Sequence, residues 1–190
     1  MRIISGSFRG KKIIAPSNLP GRPTTDFAKE ALFNVLNNHY HFDEISVLDL
    51  FAGIGSISWE FASRGSQRIV SVDQDPGCVK FLTETAQKLS IADRMTIVRN
   101  DVFQFLKRNT YGSFDIVFVD PPYTFTQEEY DKLVEMVREN KWLNEGGELV
   151  VEHSATIKFE EHQHLLQTRK YGNVHFSFFD FDEINPELPQ

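Results

Sequence analysis

A chain of 190 residues, 41% hydrophobic and 25% charged, has the length and composition of one globular domain with room for a short appendage, and excludes disordered, collagenous and solenoid classes. Its one cysteine, Cys78, rules out an intrachain disulfide, and its six histidines lack the paired spacing of a metal site, so no metal is expected. The net charge of −7 hides an asymmetry: residues 1–30 hold six basic against two acidic residues, a +4 arm on a −11 body, which either meets an anion or is simply solvated.

The basic opening has no apolar stretch of signal-peptide length, and no run reaches the roughly 18 apolar residues of a membrane span, so a cytoplasmic monomer is expected. Along the chain, Arg2-Ile-Ile-Ser and Lys11-Lys-Ile-Ile-Ala alternate around Gly6 to Gly10, which predicts a small β-hairpin. Pro16, Pro20, Gly21 and Pro23 then break regular structure. Thr24 or Thr25 can cap a helix carrying Phe27, Ala28, Ala31, Leu32, Val35 and Leu36 at helical spacing.

From residue 46 strands and helices alternate. Val47-Leu-Asp-Leu-Phe51 reads as a strand ending in a glycine turn, and the helix from Ser56 stops at Gly65. Arg68 to Asp73 is a second strand, and Asp75-Pro76 opens the next helix. Met95 to Arg99 is a third strand, followed by a short helix from Val102 to Arg108. Phe114 to Asp120 is apolar on both faces, as a central parallel strand is. An amphipathic helix through Tyr130, Leu133, Val134 and Val137 precedes a strand from Gly147 to Glu152, and a hairpin turning at Gly172-Asn173 closes the chain. This order predicts a doubly wound, mostly parallel α/β sheet of Rossmann-like form with an antiparallel C-terminal hairpin. The basic β-hairpin extension is set at residues 1–23 and the catalytic domain at 24–190.

Ligands of open α/β sheets bind outside the carboxyl ends of the strands. Four clusters fall there: Asp49 to Gly55, Asp73, Asn100-Asp101, and Asp120 to Tyr123. The glycine turn Phe51-Ala-Gly-Ile-Gly55 lets backbone approach a ligand, although Ser58 stands where a dinucleotide fingerprint carries Gly or Ala, and a purely structural turn would look the same. Asp49 can orient that loop by accepting N–H bonds. Asp73, about 20 residues on, can accept the hydroxyls of a ribose. Asp101 can take an adenine amino group or merely cap the helix that starts there. Asp120-Pro121-Pro122-Tyr123 discriminates more sharply. Two prolines remove N–H donors and fix their carbonyls beside a carboxylate, an acceptor-only corner for an exocyclic amino group, and Tyr123 offers a face for stacking a base.

These residues, with Arg2 to Lys12, Arg22-Pro-Thr-Thr-Asp26, Glu30-Ala-Leu-Phe-Asn34 and Val151-Glu-His-Ser154, make the chain resemble the class I methyltransferases, specifically the small-subunit rRNA guanine-N2 methyltransferases of the RsmD family. The resemblance implies that Thr25, Asp49, Phe51, Ala52, Gly53, Gly55, Asp73, Gln74, Asp101 and Val102 hold S-adenosyl-L-methionine. It implies that Asp120, Pro121, Pro122 and Tyr123 hold the target guanine. Arg2, Arg9, Lys11, Lys12 and Arg22 would meet the phosphates of 16S rRNA, free or in an assembling small subunit. The chain departs from the family pattern at Phe27-Ala-Lys29, where the family carries basic residues including an arginine, and its tail from Asp180 to Gln190 carries no family signal. Three other readings compete: an adenine-N6 methyltransferase acting on DNA or RNA, an NAD-dependent oxidoreductase, and a non-catalytic RNA-binding factor.

Overall fold

The computed structural model describes residues 1–20 and 24–182. Seven strands form one sheet in the order β3-β2-β1-β4-β5-β7-β6. Strands β1 (Ser46–Leu50), β2 (Arg68–Asp73), β3 (Met95–Arg99), β4 (Phe114–Val119) and β5 (Leu143–His153) run parallel. Strand β7 (Val174–Phe179) inserts antiparallel between β5 and β6 (Leu165–Tyr171), so the expected terminal hairpin is present with its second strand inward. No helix among the described residues is long and apolar enough to cross a membrane.

The chain leaves β1 toward β2 and β3 on one side and toward β4 and β5 on the other. The switch point therefore lies between the carboxyl ends of β1 and β4, where a crevice must open. Residues alternate between two cores, as the period of a strand requires. Val47, Ile116 and Phe118 face helices α1 (Asp26–Leu36), α2 (Ser56–Arg64) and α3 (Pro76–Lys88). Leu48, Leu50, Val117 and Val119 face α4 (Val102–Leu106) and α5 (Gln127–Glu139). The capping pattern explains where the helices begin: Thr25, Asp75, Asp101 and Thr126 each accept a backbone N–H of the first turn. Helix α4 ends two residues earlier than expected. The Trp142 indole donates to the Leu106 carbonyl at 3.1 Å, and the chain turns there.

The N-terminal arm pairs as the expected small hairpin: Arg2 and Lys12 form an antiparallel bridge, Ile3 N–H donates to the Lys11 carbonyl at 3.0 Å, and Ile13 N–H to the Met1 carbonyl at 3.0 Å. Ile3 and Ile13 drop into the first core, and the turn between them bonds to the end of α2 as well as to itself. Ser7 N–H reaches the Ser63 carbonyl at 2.7 Å, and Phe8 N–H reaches Ser63 Oγ at 2.9 Å. Gly6, at φ 82°, sits so close that a Cβ there would lie 1.9 Å from the Ser63 carbonyl oxygen. Gly6→Ala is expected to lift the arm off α2 and lower stability by about 1–3 kcal/mol, checked by chemical denaturation.

Helix α1 buries Ala28, Leu32 and Leu36 as its apolar spacing suggested, but the buried face is turned toward Lys29 and Phe33. Phe27 is exposed, packing its edge on Tyr171 at 6.1 Å, whereas Lys29 is buried. The Lys29 ammonium lies 3.2 Å from the Glu60 carboxylate, both fully enclosed, and donates to the Arg2 carbonyl at 2.6 Å. Glu60 in turn accepts Ile4 N–H at 2.5 Å and pairs with Arg64. One buried ion pair thus joins α1, α2 and the arm, which gives Lys29 a structural role that its departure from the family pattern had left open.

Candidate active site

A cleft of about 620 Å³ opens at the switch point between β1 and β4. Its walls carry all four clusters at the strand ends: Asp49 and the glycine loop, Asp73 with Gln74, Asp101 with Val102, and Asp120 to Tyr123. Of the ten residues expected around the cofactor, the cleft brings together all but two. Gly55 shapes the loop from behind, and Thr25 is turned away, its hydroxyl capping α1 by accepting Ala28 N–H at 3.2 Å. Thr24 is the threonine that lines the cleft.

The glycine loop is held by its surroundings. Ala52 N–H donates to the Val72 carbonyl at 3.0 Å, and Gly53 N–H to Asp73 Oδ2 at 2.8 Å. Gly55, at φ 80°, has no room for a side chain: a Cβ there would lie 2.6 Å from Trp59 Nε1, the nitrogen that donates to the Ile54 carbonyl. Asp49 acts one turn further along than expected. It accepts both Ser58 N–H at 3.1 Å and Ser58 Oγ, whose hydroxyl also meets Ser71 Oγ at 2.7 Å. Ser58, the departure from the dinucleotide fingerprint, thereby anchors the start of α2 to β1 and β2.

Asp73 uses Oδ1 for Asp75 N–H and Oδ2 for Gly53 N–H. Each oxygen keeps a lone pair, so a diol can still be accepted. Asp101 caps α4 through Gln104 N–H at 2.9 Å and borders the cleft as well, so its two readings are compatible. Cys78 also lines the wall; burial and the charges of Asp73 and Asp75 push its thiol up to about 12, which keeps it an inert thiol.

At the opposite wall Asp120 follows β4, its N–H reaching back to the Leu50 carbonyl at 3.3 Å. The Pro122 carbonyl accepts Phe125 N–H at 3.0 Å, which closes a turn and leaves the Pro121 carbonyl as the partner of Asp120 in the acceptor corner. Tyr123 stands 74% exposed at the mouth, where a planar group could lie against its ring.

Two polar residues complete the site that sequence reasoning passed over. Ser56 begins α2 in the cleft wall, and its buried hydroxyl has no hydrogen-bond partner among the described residues. At a helix N-terminus such a hydroxyl and its neighbouring amides suit an anionic group. Glu152, one residue before the end of β5, is buried and accepts a hydrogen bond from Thr24 Oγ1 at 3.0 Å. It lies at a strand terminus like the other clusters, a signal that would have found it.

The site is strongly acidic. Burial drives the Asp120 carboxyl well above the usual carboxylate range, with Glu152 and then Asp49 adding to the rise. Burial likewise lifts Glu152 to about 7, against the Thr24 hydrogen bond, and Asp49 to about 7, against its two bonds from Ser58. A carboxyl raised on folding contributes stability that is fully present below its unfolded value near 3.8 and is lost as pH rises through about 7. The thermal midpoint of the ligand-free protein is therefore expected to fall from pH 5 to pH 8, and Asp49→Asn to flatten that slope. A midpoint that climbs with pH across this window would contradict the assignment.

The arm lies beside the cleft. Arg9, Lys11 and Lys12 are exposed, Lys11 resting over the Phe8 ring at 5.5 Å, and Arg2 pairs with Asp26 at 3.2 Å. Arg22 lies outside the described residues.

Comparison with known proteins agrees with this arrangement. The family model described as conserved hypothetical protein 95 matches residues 1–180. YlbH of Bacillus subtilis strain 168, named as a candidate rRNA methyltransferase, is 35% identical over 90% of this chain and 94% of its own. The ribosomal RNA small subunit methyltransferase D of Haemophilus influenzae is 33% identical, covering 94% of this chain and 93% of its own. Among solved structures, a candidate methyltransferase from Escherichia coli superposes with a TM-score of 0.80 at 26% identity, covering 94% and 96% of the two chains.

Proposed function

The chain belongs to the conserved hypothetical protein 95 family, the RsmD family, and from that premise we propose that it transfers a methyl group from S-adenosyl-L-methionine to the exocyclic N2 of a guanine in small-subunit ribosomal RNA. The observation that carries this reading is the meeting, across one switch-point cleft, of a glycine loop backed by Asp73 with the acceptor corner of Asp120-Pro121-Pro122-Tyr123. Two relatives matched along nearly their whole length are named as ribosomal RNA methyltransferases, one of them as a candidate, and this supports an RNA substrate.

The residues present suit the cofactor. Asp73 can accept the ribose hydroxyls, Asp101 and Val102 border the place for the adenine, and Asp49 lies toward the glycine loop. The orphaned Ser56 hydroxyl and the start of α2 can receive the carboxylate of the amino-acid end. No lysine, arginine or histidine stands among the described residues of the wall, while five aspartates do, which favours a ligand bearing net positive charge. When bound, S-adenosyl-L-methionine supplies an electrophilic methyl on a sulfonium, a leaving group that needs no metal.

The protein's share of the chemistry is positioning and electrostatics. Tyr123 stacks the unstacked guanine. Asp120 and the Pro121 carbonyl accept the two N2 hydrogens and turn the nitrogen lone pair along the line to the methyl. Asp120 would take the proton lost from N2 and pass it to solvent, while the sulfonium, on giving up its methyl group, would leave as a neutral thioether. A carboxylate whose proton affinity burial and Glu152 have raised is a fitting acceptor.

Calorimetric titration tests the ligand class: S-adenosylhomocysteine should bind and NAD should not, the reverse identifying an oxidoreductase. Methyl incorporation into small-subunit particles and into duplex DNA then tests the acceptor. Incorporation confined to DNA would point to the adenine reading.

A further inference from the structure

A second groove, about 680 Å³, runs between the N-terminal arm and α1. Its volume falls within the range of about 300–1,000 Å³ typical of small-ligand sites. It is walled by Arg2 and Lys12 from the arm's single bridge, by Ile13, Ile14 and Pro16, and by Ile54. Ile54 belongs to the glycine loop and lines the catalytic cleft as well, so the two depressions share one wall.

The groove combines features that the fold alone does not require. Ile14 is 86% exposed at its edge, a β-branched apolar side chain in water between Ile13, which is buried, and Ala15. Lys12 projects into solvent, and among the described residues the Arg2 side chain is held by an exposed ion pair with Asp26, 56% and 43% open. Exposed pairs of this kind contribute little, so a phosphate can take the guanidinium from Asp26. Cations beside an apolar edge match the two faces of a nucleotide, its phosphate and its base.

We propose that this groove is a subsite for the nucleotide immediately flanking the target guanine, with Arg2 and Lys12 on its phosphate and Ile14 against its base. The inference rests on the reading of the cleft as an RNA guanine site. It separates the arm's cations into two kinds. Arg2 and Lys12 line the groove and act on the nucleotide next to the target, whereas Arg9 and Lys11 do not line it and meet only more distant phosphates.

The test uses the full-length protein with small-subunit particles whose RNA lacks the methyl group. For Ile14→Asp and Lys12→Glu, KM for the particle should rise on the order of tenfold, the size of one lost base or phosphate contact. Affinity for S-adenosylhomocysteine should stay at the wild-type value, which a misfolded variant would not retain. A photoreactive benzophenone side chain at position 14 should cross-link to a nucleotide adjacent to the methylated guanine. Unchanged KM in both variants, or cross-links only to remote RNA, would overturn the subsite while wild-type methylation leaves the catalytic reading standing. A wild-type enzyme that methylates no particle RNA would overturn both.

Discussion

Asp120→Ala should lower methyl transfer by at least about 10²–10³-fold while S-adenosylhomocysteine binds within a few fold of wild type. The separation follows from where Asp120 stands. It follows β4, on the wall facing the glycine loop, and no described contact ties its carboxylate to Gly53, Asp73 or Asp101. Removing it takes away one of two acceptors for the N2 hydrogens, the charge that stabilises the nitrogen as it alkylates, and the first acceptor of its proton. It also relieves crowding, because burial and the Glu152 carboxylate raise the proton affinity of Asp120. The variant should therefore be no less stable than wild type, by thermal denaturation at pH 8. Retained activity with intact cofactor binding would remove Asp120 from the chemistry; loss of cofactor binding would move it to the other wall.

The second large effect is on stability. Glu60→Ala should cost about 3–5 kcal/mol, because it leaves the Lys29 ammonium enclosed without its counter-charge. In a chain of this length that is a fall on the order of 10 °C in the melting midpoint. Glu60 also accepts Ile4 N–H and pairs with Arg64, so the arm should loosen along with α1. Replacing both partners, Lys29→Met with Glu60→Leu, should be milder than the sum of the single changes, since no lone charge is then buried. A fully additive double mutant would show that the pair is not coupled. The ion pair thereby links stability to function: it seats the arm that borders the cleft.

The contrast between these two residues shows what the sequence could carry. Asp120 was legible because parallel strands buried on both faces write themselves as apolar runs, and a polar residue at the end of such a run stands out. The same holds for Asp73 at the end of β2, and the capping residues were legible because their partners lie three positions away. Lys29 was not legible. Lysine is expected in solvent, and its partner lies 31 positions away on another helix, a pairing that only tertiary packing reveals. The arm was legible only in part for a related reason. Its alternation marks the hairpin that forms, but not that Ser7 and Phe8 N–H in its turn are taken by Ser63, far along the chain. Thr25 and Thr24 divide in the same way: either could cap α1, and only the geometry assigns the cap to Thr25 and the cleft to Thr24. Ser56 carries no pattern at all, being one serine at the start of a helix, until its hydroxyl is found buried with no partner among the described residues.

Nucleoside mass spectrometry after reaction with isotopically labelled S-adenosyl-L-methionine reads directly which atom receives the methyl group. Small-subunit particles from a strain lacking this protein are treated with the purified enzyme, and their RNA is digested to nucleosides. The label is expected in N2-methylguanosine, in wild-type enzyme and not in Asp120→Ala. Label in N6-methyladenosine, or in no nucleoside at all, would contradict the assignment.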